Sequence, residues 1–171
     1  PADGDLDVGV DSFSLEVWAN LSANPGSHDL VSKDNPANGD RSGYQIRTQG
    51  TTNQFIVNNG TGGGRTFNIA YTTSNSRWHH FVMVVTRGIA NETIAAYIDG
   101  ALRGIDILNK TSSFNTTVAL LIGRSDAGDL PTNGTIDEVR LYKKIALTAQ
   151  QVLYLNNTNG TWETIVSQET S

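Results

Sequence analysis

Cysteine is absent from this chain, which rules out a disulfide framework, a thiol nucleophile and any cysteine-ligated metal. Basic residues are few. Twelve Lys and Arg stand against seventeen Asp and Glu, scattered along the chain, whereas phosphate backbones are bound by clustered cations; the balance argues against nucleic acid as a partner. Long apolar runs are also lacking. The longest, residues 81–85 and 118–122, are far shorter than the roughly 20 residues of a membrane-spanning helix. Only four prolines occur, and the first residues show neither a charged n-region nor an apolar h-region, so any leader is expected to have been removed or the chain cut from a longer one.

What the chain does have is strand alternation. In residues 13–20, Phe13, Leu15, Val17 and Ala19 fall on one face, and Ser14, Glu16, Trp18 and Asn20 on the other. Further stretches of the same kind begin near residues 43, 53, 66, 79, 93, 118 and 135. Turn clusters rich in Gly, Asn, Asp and Ser separate them. Short strands at regular spacing with polar turns between them imply an all-β sandwich or barrel of antiparallel sheets. The 37% apolar content and the 171-residue length suit one soluble domain. The period changes only after residue 147: Thr148 with Gln151 three positions on makes a capping box for a short helix. The reading is therefore one domain over residues 1–156 and a polar tail, linker or assembly strand over 157–171. Asn-x-Ser/Thr occurs at Asn20, Asn59, Asn91, Asn109, Asn115, Asn133, Asn156 and Asn159. That is half of the sixteen asparagines. The density points to N-glycosylation, and hence to an extracellular, secreted or cell-surface location; turn chemistry is the competing explanation, since Asn-Gly-Thr also makes good turns.

Several metal and nucleophile motifs fail on spacing. His79 and His80 are strand neighbours and face apart, so they cannot share one ion. No Gly-x-Ser-x-Gly elbow is present. The glycine-rich run at 60–65 lacks a following Lys-Ser/Thr and reads as a hairpin turn.

The order of five short motifs resembles the laminin G-like jelly roll of the concanavalin A-like lectin and glucanase superfamily. They are Phe13-x-x-Glu16-x-Trp18, Trp78-His79-His80, Tyr97-x-Asp99-Gly100, Ile122-Gly123 and Gly134-x-Ile136-Asp137-Glu138-Val139-Arg140-x-Tyr142. The resemblance covers about residues 6–156. It implies a two-sheet antiparallel sandwich closed by a short C-terminal helix, with the first and last core strands adjacent. Glu16 is then expected to face Arg140 across that pair, beside Trp18 and Tyr142; a place for Glu16 and Trp18 in a sugar site is the alternative.

The adjacent acids Asp137 and Glu138 raise the question of catalysis. Under strict alternation Glu138 lies with Ile136, Arg140 and Tyr142, and Asp137 points inward with Val139 and Leu141. Carboxylates on opposite faces cannot flank one glycosidic bond, where about 5–9.5 Å separates such a pair. Glucanases of similar fold carry Glu-x-Asp-x-Glu on one strand, and this chain does not, so no enzyme activity is expected. By resemblance, an inward Asp137 implies a structural calcium, with Asp34, Asn38, Gly39 and Asp40 of an earlier loop supplying oxygens. Asp126 and Asp129 mark a candidate sugar rim, with Tyr44, Tyr71 and Tyr97 as ring platforms. The functional expectation is a non-catalytic extracellular module binding glycans or cell-surface partner proteins. The alternative is a structural subunit of a glycosylated surface layer or filament, a homo-oligomer in which the tail completes a neighbour's sheet.

Overall fold

In β1 (Phe13–Leu21) the alternation becomes burial: Phe13, Leu15, Val17, Ala19 and Leu21 are all fully buried. The computed structural model describes residues 4–23, 26–34, 41–60, 64–88, 92–108, 113–125 and 131–158. The other strands are β2 (Ser27–Asp34), β3 (Ser42–Gln49), β4 (Thr52–Asn59), β5 (Arg65–Ala70), β6 (Trp78–Thr86), β7 (Glu92–Ile98), β8 (Ala101–Leu108), β9 (Leu121–Ile122) and β10 (Gly134–Lys143). They form two five-stranded antiparallel sheets. One runs β10-β1-β6-β7-β8 and the other β5-β4-β3-β2-β9. This is the expected all-β jelly-roll sandwich, with the first and last long strands paired.

Between the sheets lies the main core. Phe13, Leu15 and Val17 of β1 meet Leu30 and Val31 of β2, Tyr44 and Ile46 of β3, Phe55 of β4 and Phe81 of β6. Each such fully buried side chain contributes about 1.5–3 kcal/mol. A second, smaller core sits on the outer face of the β10-to-β8 sheet. There α1 (Ala149–Thr158) lays Val152 and Leu155 over Val82, Val84, Ala95, Tyr97 and Tyr142. The helix begins as the sequence implies: the Thr148 amide donates to Gln151 Oε1 at 2.8 Å, and the Gln151 amide donates to Thr148 Oγ1 at 3.2 Å. Ser14 pins the approach to it. Its hydroxyl donates to the Ile145 carbonyl and accepts from the Leu147 amide, both at 3.0 Å.

The β7–β8 hairpin turns through Asp99 and Gly100, whose φ values of 55° and 72° are the left-handed pair of a two-residue type I′ turn. Asp99 is also bound back onto β6. Its carboxylate meets His79 Nδ1 at 2.9 Å and accepts from the His80 amide at 3.1 Å and from the Tyr71 hydroxyl at 3.2 Å. Burial pushes this carboxyl up, but these partners outweigh it and hold Asp99 below the usual carboxylate range. His79 and His80 face opposite sides of the sheet, as alternation requires.

The helix runs past the 156/157 boundary to Thr158. The rest of the tail, 159–171, lies outside the described residues, and with it the strand that would serve assembly.

Candidate functional site

Where β10 crosses β1, the register slips. Glu16 pairs with Arg140 and Trp18 with Asp137, so Glu138 and Val139 together oppose Val17. This is a β-bulge. Its pivot is Glu138, a non-glycine residue at φ 50°, a conformation costing about 1–2 kcal/mol. Asp137 supports the pivot by accepting the Glu138 amide on Oδ1 at 2.8 Å.

The bulge overturns the face assignment of this strand. Ile136, Val139 and Leu141 all pack on the main core, while Asp137 turns outward and is exposed. Asp137 therefore does not plug the interior of the sandwich. It lines an open cleft of about 600 Å³ together with Glu138, Trp18, Trp78, Asn156, Asn157 and Thr158. The two acids share one cleft, and the exclusion of catalysis from strand alternation falls with that.

Three layers of side chain build the cleft. At its base Glu16 is fully buried. It accepts from Arg140 Nη1 at 3.0 Å and from the Tyr142 hydroxyl at 2.6 Å, and it meets His80 Nε2 at 3.1 Å. The expected Glu16–Arg140 pair is present, with Tyr142 beside it. Burial pushes the Glu16 carboxyl up, but His80, Tyr142 and Arg140 together hold it below its ordinary value. The phenol of Tyr142 is pushed up by burial and by the Glu16 carboxylate that it faces. Arg140 also engages Glu138 through Nη2. In the next layer Trp18 stacks on His80, with ring centroids 4.8 Å apart and planes within 19°. The buried Trp18 Nε1 meets no acceptor among the described residues. At the rim stand Trp78, 44% exposed, and the end of α1.

The other candidates scatter. Tyr44 is buried in the main core, with its hydroxyl donating to the Leu6 carbonyl at 2.8 Å. Tyr97 is buried beneath α1. Neither is an open ring platform, because β3 turns Tyr44 inward and the helix covers the outward face of β7. Tyr71 is half-buried, carries the Arg103 guanidinium 4.1 Å above its ring and donates to Asp99. Asp126 and Asp129 lie outside the described residues, as do Asn38, Gly39 and Asp40. Of the calcium set, Asp34 sits at the end of β2, where it accepts from Asn58 at 3.1 Å and pairs with Arg41 at 2.8 Å. Asp34 belongs to one sheet, and Asp137 stands on the far face of the other, so the two do not form a joint site. Among the described residues no group of three His, Asp or Glu side chains is placed to hold a metal.

Of the sequon asparagines, Asn115 and Asn133 are exposed and Asn20 is half-buried. Asn59 is buried, at 7% exposure. Asn156 lies against Gly100, where an added Cβ would come within 3.2 Å of its amide nitrogen. Asn91, Asn109 and Asn159 are outside the described residues.

Sequence reasoning used Trp78 only as a fold marker and assigned Asn157 and Thr158 to the tail. Alternation places Trp18 with Glu16 on one face of β1. Nothing in the sequence brought Asp137 to join them.

Comparison with known proteins agrees with the fold. Residues 2–153 match a laminin G model described as the concanavalin A-like lectin/glucanases superfamily. The chain belongs to this superfamily. No curated protein matches it in sequence. Among solved structures it is similar to the binding domain of Paraclostridial Mosquitocidal Protein 1, at 15% identity and a TM-score of 0.71, covering 92% of this chain and 39% of that one. It is also similar to the binding domain of Botulinum Neurotoxin DC in complex with SialylT, at 14% identity and a TM-score of 0.65, over 88% of this chain and 36% of that one. A third similar structure concerns botulinum neurotoxin type C, whose cell entry is described as dependent upon interaction with two ganglioside molecules; there identity is 16% and the TM-score 0.63, over 88% and 36%. At these identities the likeness is one of fold. The superfamily member described here spans less than two fifths of each of those chains. No helix among its described residues is long and apolar enough to cross a membrane.

Proposed function

We propose that this protein is a non-catalytic carbohydrate-binding module of a secreted or surface protein, and that the cleft at the β1–β10 bulge is its ligand site. The observation that carries this reading is an exposed tryptophan, Trp78, beside Trp18 and two carboxylates in one open cleft. A sugar ring has an apolar face and a hydroxylated edge. An indole takes the first through dispersion and burial, and carboxylate and amide groups take the second through hydrogen bonds. The superfamily and the binding-domain neighbours support the reading without fixing the ligand.

The acids serve recognition here, not bond cleavage. Glu138 is held by Arg140, and Asp137 spends one oxygen on the bulge, which leaves no carboxyl poised as a free acid beside a free base.

Trp78→Ala tests the site. The ring is nearly half exposed, so the fold is expected to persist, with an unchanged circular dichroism spectrum, while binding on a glycan array falls at least tenfold. Retained binding would remove the cleft from the function. Hydrolysis of a bound glycan by the wild type, lost in Glu138→Gln, would overturn the non-catalytic reading.

A further inference from the structure

We infer that the cleft selects uncharged sugars and refuses sialylated, sulfated or uronic-acid glycans, an inference that rests on the carbohydrate reading above. Glu16, beneath the cleft, is met by Arg140 and by the fully buried His80 ring, and Arg140 is shared with Glu138; among the described residues no other Lys or Arg pairs with Glu138 or Asp137. Asp137 has no cationic partner among the described residues and stands exposed at the wall. Arg77 precedes Trp78 in the chain but does not line the cleft. An anionic sugar seated on Trp78 would bring its charge toward Asp137 in a partly desolvated space, where like charges repel far more strongly than in water.

The hydrogen-bonding inventory narrows the class from the other side. Asp137 has one oxygen not spent on the bulge, and it asks for a donor. Trp18 Nε1 is buried and is not a contact to the ligand; an amide side chain supplies both a donor and an acceptor. Asn156 and Asn157 at the end of α1 offer both. A hydroxyl group donates and accepts at once. A carboxylate or sulfate only accepts, so it cannot supply the donor that Asp137 asks for. A neutral pyranose, with its apolar face on Trp78 and vicinal hydroxyls toward Asp137, meets the requirements together. This charge class is opposite to the sialylated ligand named for one structural neighbour, and it separates the two although the folds agree.

The experiment uses an array of oligosaccharides that share one neutral core and differ by a terminal sialic acid, sulfate, uronic acid or free amine, read at low and at physiological salt. The expected result is binding of the neutral form at least tenfold above each anionic form. Asp137→Asn keeps an oxygen for the bulge amide, so its fold is not at risk; it is expected to narrow that ratio to less than threefold. Anionic forms bound as well as neutral ones, with binding still abolished by Trp78→Ala, would overturn the selectivity while leaving the site intact. Binding that ignores Trp78→Ala, or no glycan bound at all, would overturn both the selectivity and the carbohydrate reading beneath it.

Discussion

Glu16→Ala is expected to destabilise the protein by about 3–5 kcal/mol, the range for breaking a fully buried ionic network from one side. A domain of ordinary stability holds only about 5–15 kcal/mol in total, so this one change takes a large share. The effect is large because Glu16 is fully buried and serves three partners at once: His80, Arg140 and Tyr142. Removing it deletes the carboxylate that the Tyr142 hydroxyl, the Arg140 guanidinium and the fully buried His80 ring all meet. Urea denaturation followed by tryptophan fluorescence measures the loss, and a change below about 1 kcal/mol would mean that the network is ornamental.

The same residue gives the prediction its pH dependence. Its folded-state value is lowered from 4.5. The stabilisation is therefore fully present above the ordinary glutamate value and is lost as pH falls through the lower folded one. The gap between wild type and Glu16→Gln should accordingly narrow in acid. Asp29 and Asp34 act in the opposite sense. Burial raises both carboxyls in spite of nearby arginines, so their protonation favours the folded state as pH falls. Acid lability assigned to Glu16 is thus read as a difference between the two proteins, not from the wild-type curve alone.

The Glu16–Arg140 pair was legible because alternation placed the two residues on their faces and the family resemblance implied that the first and last strands are adjacent; the share of His80 in the network was not. The cleft was not legible. It exists because one residue, Glu138, takes a left-handed conformation, and a single extra residue in a strand flips every side chain on one side of it. Glutamate carries no signal for that conformation in the way that glycine does. Tyr44 and Tyr97 misled for a related reason. A tyrosine at a strand position is exposed or buried according to what covers its face, and only the tertiary packing supplies the opposite sheet over Tyr44 or α1 over Tyr97. Helix and capping box were readable because their signals are local. The sequence around the rim acids Asp126 and Asp129 has no periodicity from which a side-chain direction could be read, and both lie outside the described residues.

Gly43→Ala is expected to lower stability by about 3–5 kcal/mol, at the upper end for a single substitution, and here the cause is backbone contact. Gly43 lies at φ 122°, and a Cβ built there would stand 1.7 Å from the Lys33 carbonyl oxygen and 3.0 Å from Asp34 Cα. No side-chain adjustment relieves such a clash; β2 must move away from β3. That movement reaches Lys33, which is fully buried and ties three segments together through Asp7 at 3.1 Å and the carbonyls of Thr116 and Val118 at 3.3 and 2.8 Å. Gly9→Ala is the matched control. Gly9 is also left-handed, at φ 58°, but its nearest neighbour is Asn115 Oδ1 at 3.9 Å, so only the conformational cost of about 1–2 kcal/mol applies. Urea midpoints that coincide for the two variants would show that β2 yields without loss and would remove the close approach as a stabilising constraint. A folded Gly9→Ala beside a Gly43→Ala that unfolds or fails to accumulate is the expected pattern. The cleft lies on the opposite sheet, so whatever fraction of Gly43→Ala remains folded should bind glycan with unchanged affinity. Stability and recognition are thereby separated on two faces of one sandwich.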